Sequence, residues 1–161
     1  MRALYTAAGI GQVVAARAYI AGASGGCQAE IGTASAMAAG ALTALGGGTP
    51  PQITHAAAMA LKNLLGLVCD PVGGLVEVPC VKRNVIGSVN ALSAADMALA
   101  GIISRIPPDQ VIDAMREVGD QMHPSLRETG QGGLANTPAA REWCAAQEED
   151  KKTLIFGKLL V

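Results

Sequence analysis

The chain has 161 residues, half of them hydrophobic but only 2% aromatic, with a net charge of −1. A near-neutral balance with one short basic run, Lys82-Arg83, excludes an electrostatic footprint for nucleic acid. The longest apolar run, Ile31 to Leu45, falls short of the ~20 residues a spanning helix needs, and the Met1 to Ala16 stretch is too diluted by Gly9, Gly11 and Gln12 for a secretory signal. The reading is a soluble cytoplasmic protein. Length predicts one domain, 1–161, and Ala with 20 Gly supplies most of the small side chains. Such residues let helices approach closely, so the expected fold class is all-α: a compact Ala/Gly-rich helical bundle with cysteine-bearing loops.

In chain order, Leu4 to Ile20 reads as a first helix, broken by Ser24-Gly25-Gly26. Gln28 to Leu45 is a second, stopped by three glycines. Thr49 caps a third, whose stripe is Ile53, Ala57, Ala60, Leu61 and Leu64, with Pro50 and Pro51 in the first turn where a missing N–H is tolerated. From Cys69 to Cys80, Pro71, Gly73, Gly74 and Pro79 predict a wrapping loop. Asn84 is expected to cap a fourth helix running to about Ser104, with Val85, Val89, Leu92, Leu99 and Ile103 on one face and Asp96 on the same stripe. A fifth runs from Pro107-Pro108-Asp109 to Met122, with Val111, Met115, Val118 and Met122 inward. Ser125 to Pro138 is a second glycine-bearing loop, and Thr137-Pro138 opens a last helix carrying Trp143 and Cys144. The charged run from Glu148 to Lys152 reads as a solvated face or frayed end.

Three of the four cysteines, Cys27, Cys69 and Cys80, sit in Gly- or Pro-rich breaks. Thiolates that converge on one centre need bent backbone and close approach, which Gly and Pro supply. The long gap before Cys69 and the shorter one before Cys80 match neither a zinc ribbon nor a ferredoxin run. Three soft ligands suit an iron–sulfur cluster with one iron open, copper(I), or a zinc site completed by Cys144, His55 or His123. Outside that possibility Cys144 reads as a small packed or partly exposed thiol, and His55 as surface or core.

The wording around these cysteines resembles the iron–sulfur-dependent L-serine dehydratases (L-serine ammonia-lyases), specifically the catalytic alpha chain. The resemblance runs from about Ala21 to Ala139 and rests on Gly-Gly-Cys-Gln-Ala-Glu-Ile-Gly at 25 to 32, Cys-Asp-Pro-Val-Gly-Gly-Leu-Val-Glu-Val-Pro-Cys at 69 to 80, and Met122-His123 followed by Arg127-Glu128-Thr129-Gly130-Gln131-Gly132-Gly133-Leu134-Ala135. Ser24 stands where the family usually has an acid, and the family's upstream Pro-, Thr-, Ala- and Gly-rich segment has no counterpart in the sequence. The chain therefore looks like the carboxy-terminal part of a catalytic chain.

The resemblance implies a 4Fe-4S cluster on Cys27, Cys69 and Cys80, with L-serine binding the open iron through its hydroxyl and leaving as pyruvate and ammonia. No pyridoxal phosphate neighbourhood surrounds Lys82. Candidate catalytic residues are His123, which opens a matched stretch, and Glu30, one turn past Cys27. Candidate substrate-binding residues are Arg83 and Asn84 beside Cys80, and Thr129, Gly132 and Gly133, whose loop can offer backbone N–H groups to a carboxylate. The implied partners are a beta chain or an upstream segment, in a homo- or hetero-oligomer. The competing expectation is a truncated, non-catalytic iron–sulfur or zinc module that needs a partner chain.

Overall fold

The computed structural model describes the backbone of residues 1–157 and the side chains as far as residue 149, so Asp150 to Lys152 of the charged run lie beyond the described side chains. Among the described residues every regular element is helical: α1 (Arg2–Arg17), the single turn α2 (Gly22–Gly25), α3 (Thr33–Leu45), α4 (Pro50–Lys62), α5 (Cys80–Leu99), α6 (Pro108–Gln121) and α7 (Pro138–Gly157). An isolated parallel bridge pairs Cys69 with Arg127. No described helix is long and apolar enough to cross a membrane.

The helix α3 packs against α1, α4 and α5, and α4 reaches α6 as well. Two cores result. Val14, Ala36, Ala57, Leu61, Val111 and Met115 join α1, α3, α4 and α6. Ala39, Ala56, Met59, Ala91, Ala94 and Ala98 join α3, α4 and α5. The expected stripes of α4 and α6 hold, with Ala57, Ala60, Leu61, Val111, Met115 and Met122 all buried. Capping also follows the sequence: the Thr49 N–H donates to Gln52 Oε1 at 2.9 Å, and Thr137 Oγ1 accepts from the Ala140 N–H at 3.3 Å.

Four expectations need correction. The first helix ends at Arg17 rather than Ile20, with Ala18 already non-helical. The second does not run unbroken from Gln28: residues Gln28–Gly32 form a π-turn before α3 begins. The fourth helix starts at Cys80, not after Asn84, and stops at Leu99 rather than Ser104. Gly101 there takes φ +89° and Ile102 N–H returns to the Met97 carbonyl, a helix stop that needs glycine. The last correction concerns which face of α5 is buried. Gly87, Ala91, Ala94, Ala95 and Ala98 face the core, whereas Val85, Val89, Leu92, Leu99 and Ile103 are exposed, and Asp96 with them. Close helix packing selects the smallest side chains for the interface, so side-chain size pointed to the wrong face.

Candidate metal centre

Cys27 precedes the π-turn, Cys69 lies in the loop after α4, and Cys80 is the first residue of α5. Their sulfurs lie within 4.8 Å of one another, with Cys27 and Cys69 buried and Cys80 half-buried. All four cysteines are free thiols. Around them pack Ile31, Leu64 and Leu67. Burial first, then the neighbouring Cys27, pushes the Cys69 thiol far above its ordinary range, with Cys80 and Glu128 adding to the effect. The Cys80 thiol is pushed up by burial and by Cys27, while Arg83 opposes the shift and Glu30 adds to it. Cys69 and Cys80 thus resist ionising unless a cation joins them, and three convergent sulfurs make a donor set chemically suited to a soft metal centre.

Among the described residues no fourth Cys, His, Asp or Glu joins this group. Cys144 sits elsewhere, packed with Trp143 near Gly73, which agrees with a structural thiol. His55 is half-buried on α4, with Nδ1 lacking a partner among the described residues. A structural zinc site would be closed by four protein ligands. Three thiols without a fourth side-chain ligand among the described residues fit that closed set less well, and their soft sulfur donors are compatible with the cluster that the sequence suggests.

Backbone pairing fixes the loops. The Cys69 N–H donates to the Leu126 carbonyl at 2.8 Å, and the Glu128 N–H donates to the Cys69 carbonyl at 2.7 Å, so the 123–136 loop is laid directly on the cysteine loop. The Gln28 N–H donates to the Leu67 carbonyl at 2.9 Å, and the buried Gln28 side chain bridges the Met115 carbonyl and the Gly66 N–H. Gln28 thereby ties the segment after Cys27 to the one before Cys69.

Arg83 is turned inward rather than toward solvent. One guanidinium nitrogen meets Asp70 Oδ1 at 2.7 Å, the Val68 carbonyl at 2.8 Å and the Cys27 sulfur at 3.9 Å. Burial works against this charge, but the hydrogen bond and charge of Asp70, with Cys27, outweigh it and raise the Arg83 pKa. The second Asp70 oxygen accepts from the Leu134 N–H at 2.7 Å, and a Cβ on Gly133, whose φ is +58°, would overlap that oxygen. The anion held at this point of the glycine loop is therefore the Asp70 carboxylate.

The remaining candidates lie on the π-turn, on α5 and on the 123–136 loop. Glu30 is exposed, and a Cβ on Gly22 would lie 3.0 Å from the Cys69 sulfur and 3.3 Å from Glu30 Oε2, so carboxylate and thiol share the same small space. Glu30 also borders a groove with the buried Thr33, whose hydroxyl lacks a hydrogen-bond partner among the described residues. His123 is exposed; its Nδ1 accepts from the Ser125 N–H at 3.2 Å and lies 2.8 Å from Ser125 Oγ. A nitrogen that accepts a backbone N–H is the unprotonated one, which leaves Nε2 to carry the imidazole proton outward. Asn84 is exposed and donates to the Cys80 carbonyl at 3.0 Å. Thr129 spends its hydroxyl on the Ser125 carbonyl at 3.0 Å, and a Cβ on Gly132 would press on Ser125. Sequence reasoning gave Asp70, Gln28 and Thr33 no role. Asp70 had a signal: an acid beside a buried cysteine needs a cationic partner, and Arg83 at a helix start needs an anionic one.

An all-helical scaffold gathers three loop and helix-end cysteines into a group that could hold a metal. Residues 1–135 match the family model described as serine dehydratase alpha chain, and the chain belongs to that family. It is 65% identical over 142 residues to a probable L-serine dehydratase alpha chain of Bacillus subtilis, covering 88% of this chain and 47% of that one. To the L-serine dehydratase alpha chain of Peptoniphilus asaccharolyticus it is 55% identical over 137 residues, 85% of this chain and 47% of that one. To the L-serine dehydratase TdcG of Escherichia coli it is 47% identical over 135 residues, 83% of this chain and 30% of that one. The chain thus spans about half the length of the alpha chains it matches here and less of the longer relative.

Proposed function

We propose that this chain carries the iron–sulfur centre of an L-serine ammonia-lyase, which converts L-serine to pyruvate and ammonia together with further polypeptide: a beta chain or the rest of an alpha chain, in an oligomeric enzyme. The observation that carries this reading is the convergence of three thiols, without a fourth side-chain ligand among the described residues, in a member of the serine dehydratase alpha chain family. Free thiols at all four cysteines suit the reducing cytoplasm.

Cys27, Cys69 and Cys80 would hold a 4Fe-4S cluster, which when bound supplies a Lewis-acidic iron that helps the β-hydroxyl depart, an effect that can reach several kcal/mol. Loss of water from serine gives an enamine, whose imine tautomer hydrolyses to pyruvate and ammonia. Glu30, beside Cys69 at Gly22, pairs with the substrate ammonium or takes the α-proton. His123, set by Ser125 through Nδ1, presents Nε2 for proton transfer. Asn84, through its second amide hydrogen, and the backbone N–H groups of Gly132 and Gly133 offer donors to the substrate carboxylate, while the Thr129 hydroxyl, spent on the Ser125 carbonyl, orders that loop. Arg83, committed to Asp70 and leaning on Cys27, serves the centre rather than the substrate.

The test is anaerobic purification and cluster reconstitution, with iron and sulfide content, the visible spectrum and pyruvate formation as readouts. Cys27→Ala, Cys69→Ala and Cys80→Ala are each expected to abolish cluster absorbance and, in the complete enzyme, serine turnover. Full turnover in any of the three would remove that cysteine from the ligand set. The exposed apolar face of α5 favours a second reading, a cluster-bearing module inactive until a partner is added; iron and sulfide without pyruvate would select it. Zinc without sulfide in anaerobic material would exclude both.

A further inference from the structure

The outer face of α5 carries an apolar stripe from Val81 to Leu92, with the exposed Asp96 one turn further on. Val81, Val85, Val89 and Leu92 are each more than half exposed, and their spacing places them on one stripe. Beside the stripe runs a groove of about 220 Å³ between α3 and α5, bordered by Ala34, Ala38, Asn84 and Ser88. Small residues on both walls allow a helix backbone to approach as closely as α3 and α5 approach each other. A contiguous apolar face of this kind marks a contact surface.

We infer that this face is the docking surface for a helix from the portion of the family's alpha chain that this chain does not match. Three observations select that occupant. The face lies wholly inside the region that is 65% identical to the Bacillus subtilis alpha chain, and that relative has about as much polypeptide again outside the match. The stripe begins at Cys80, so a segment lying on it borders the half-buried side of the cysteine centre. And Arg83, which touches Cys27, is committed to Asp70, so further donors for a substrate carboxylate are something that a segment docked at Cys80 is placed to add. The inference rests on family membership and not on cluster loading, so the two fail separately.

The experiment joins this chain to the unmatched part of the Bacillus subtilis alpha chain, in that relative's order, and compares it with the chain alone by hydroxyl-radical footprinting in the metal-free state. Oxidation at Val85, Val89 and Leu92 is expected to fall severalfold in the joined protein. Combining Val85→Asp with Leu92→Asp is expected to return Val89 to its level in the chain alone, while the far-ultraviolet circular dichroism of the doubly substituted chain alone stays helical. Equal oxidation in both proteins overturns the inference. So does protection in the chain alone that grows with concentration alongside a dimer mass in sedimentation, because the occupant is then a second copy.

Discussion

Asp70 is nearly fully buried, carries a charge, and has each carboxylate oxygen committed to a different segment: Arg83 of α5 on one side and the Leu134 N–H of the glycine loop on the other. Removing one partner of such a buried pair leaves the other charge uncompensated, which destabilises by about 3–5 kcal/mol. Asp70→Asn keeps the volume and an acceptor for one segment but forfeits the ion pair. The expected outcome is a lower thermal midpoint and faster loss of iron to a chelator, since Arg83 is no longer held against Cys27. Asp70→Glu, which restores the charge, should recover part of both. An unchanged rate of iron loss in Asp70→Asn would show that the pair supports the fold without supporting the centre. At this scale the three cysteines were legible because Gly and Pro mark each one. The Asp70 contacts were not, because residues this far apart in the chain meet only after the loop folds back.

Helix identity was legible wherever period and caps agreed, as in α4 and α6, and the boundaries failed at the ends of the first helix and of α5 and where the segments of Cys27 and Cys80 intervened. The π-turn at Gln28–Gly32 widens the backbone immediately after Cys27, and such turns commonly occur at functional sites. Nothing in a run of Ala, Ile and Gly distinguishes it from α-helix. Gly87 shows how tightly α5 lies on that turn: a Cβ there would sit 2.8 Å from Ile31 Cγ2, and its carbonyl accepts from Ser35 Oγ at 2.7 Å. Gly87→Ala gains about 1 kcal/mol of helix propensity, but overpacking a well-filled contact costs about 1–3 kcal/mol. Ile31 is β-branched and buried, so it yields little. The expected result is a net loss of about 1 kcal/mol, a midpoint lower by roughly 2–4 °C by calorimetry. A midpoint at or above the parent's would mean that Ile31 and α5 can move apart, and that the contact does not set the Cys27 to Cys80 distance.

The whole molecule has two alanine-rich cores joined through α3 and α4, and the cysteine cluster is a third, smaller one where α5, the π-turn and the loops meet. The first two bring helices together by close packing, whereas the third brings together loops that have few apolar side chains of their own. Cys69 and Cys80 in that space are held above their ordinary pKa by burial and by the neighbouring Cys27, so a cation that accepts their thiolates has most to contribute there. A ligand that binds only the folded arrangement stabilises the whole chain by mass action: at a thousandfold excess over its dissociation constant the gain is about 4 kcal/mol. For a chain of this size that corresponds to a rise of roughly 10 °C in the unfolding midpoint. Anaerobic loading with iron and sulfide is therefore expected to raise the midpoint by that order, and chelation to reverse it. Cys69→Ala, which keeps an apolar residue at the centre, should unfold near the metal-free midpoint and fail to respond to loading. If the parent binds iron and sulfide with no change in midpoint, the metal is held by thiols of the unfolded chain as well as it is by the folded one, and the preformed centre has no thermodynamic role. If the midpoint rises in both the parent and Cys69→Ala, the stabilising site lies elsewhere in the molecule.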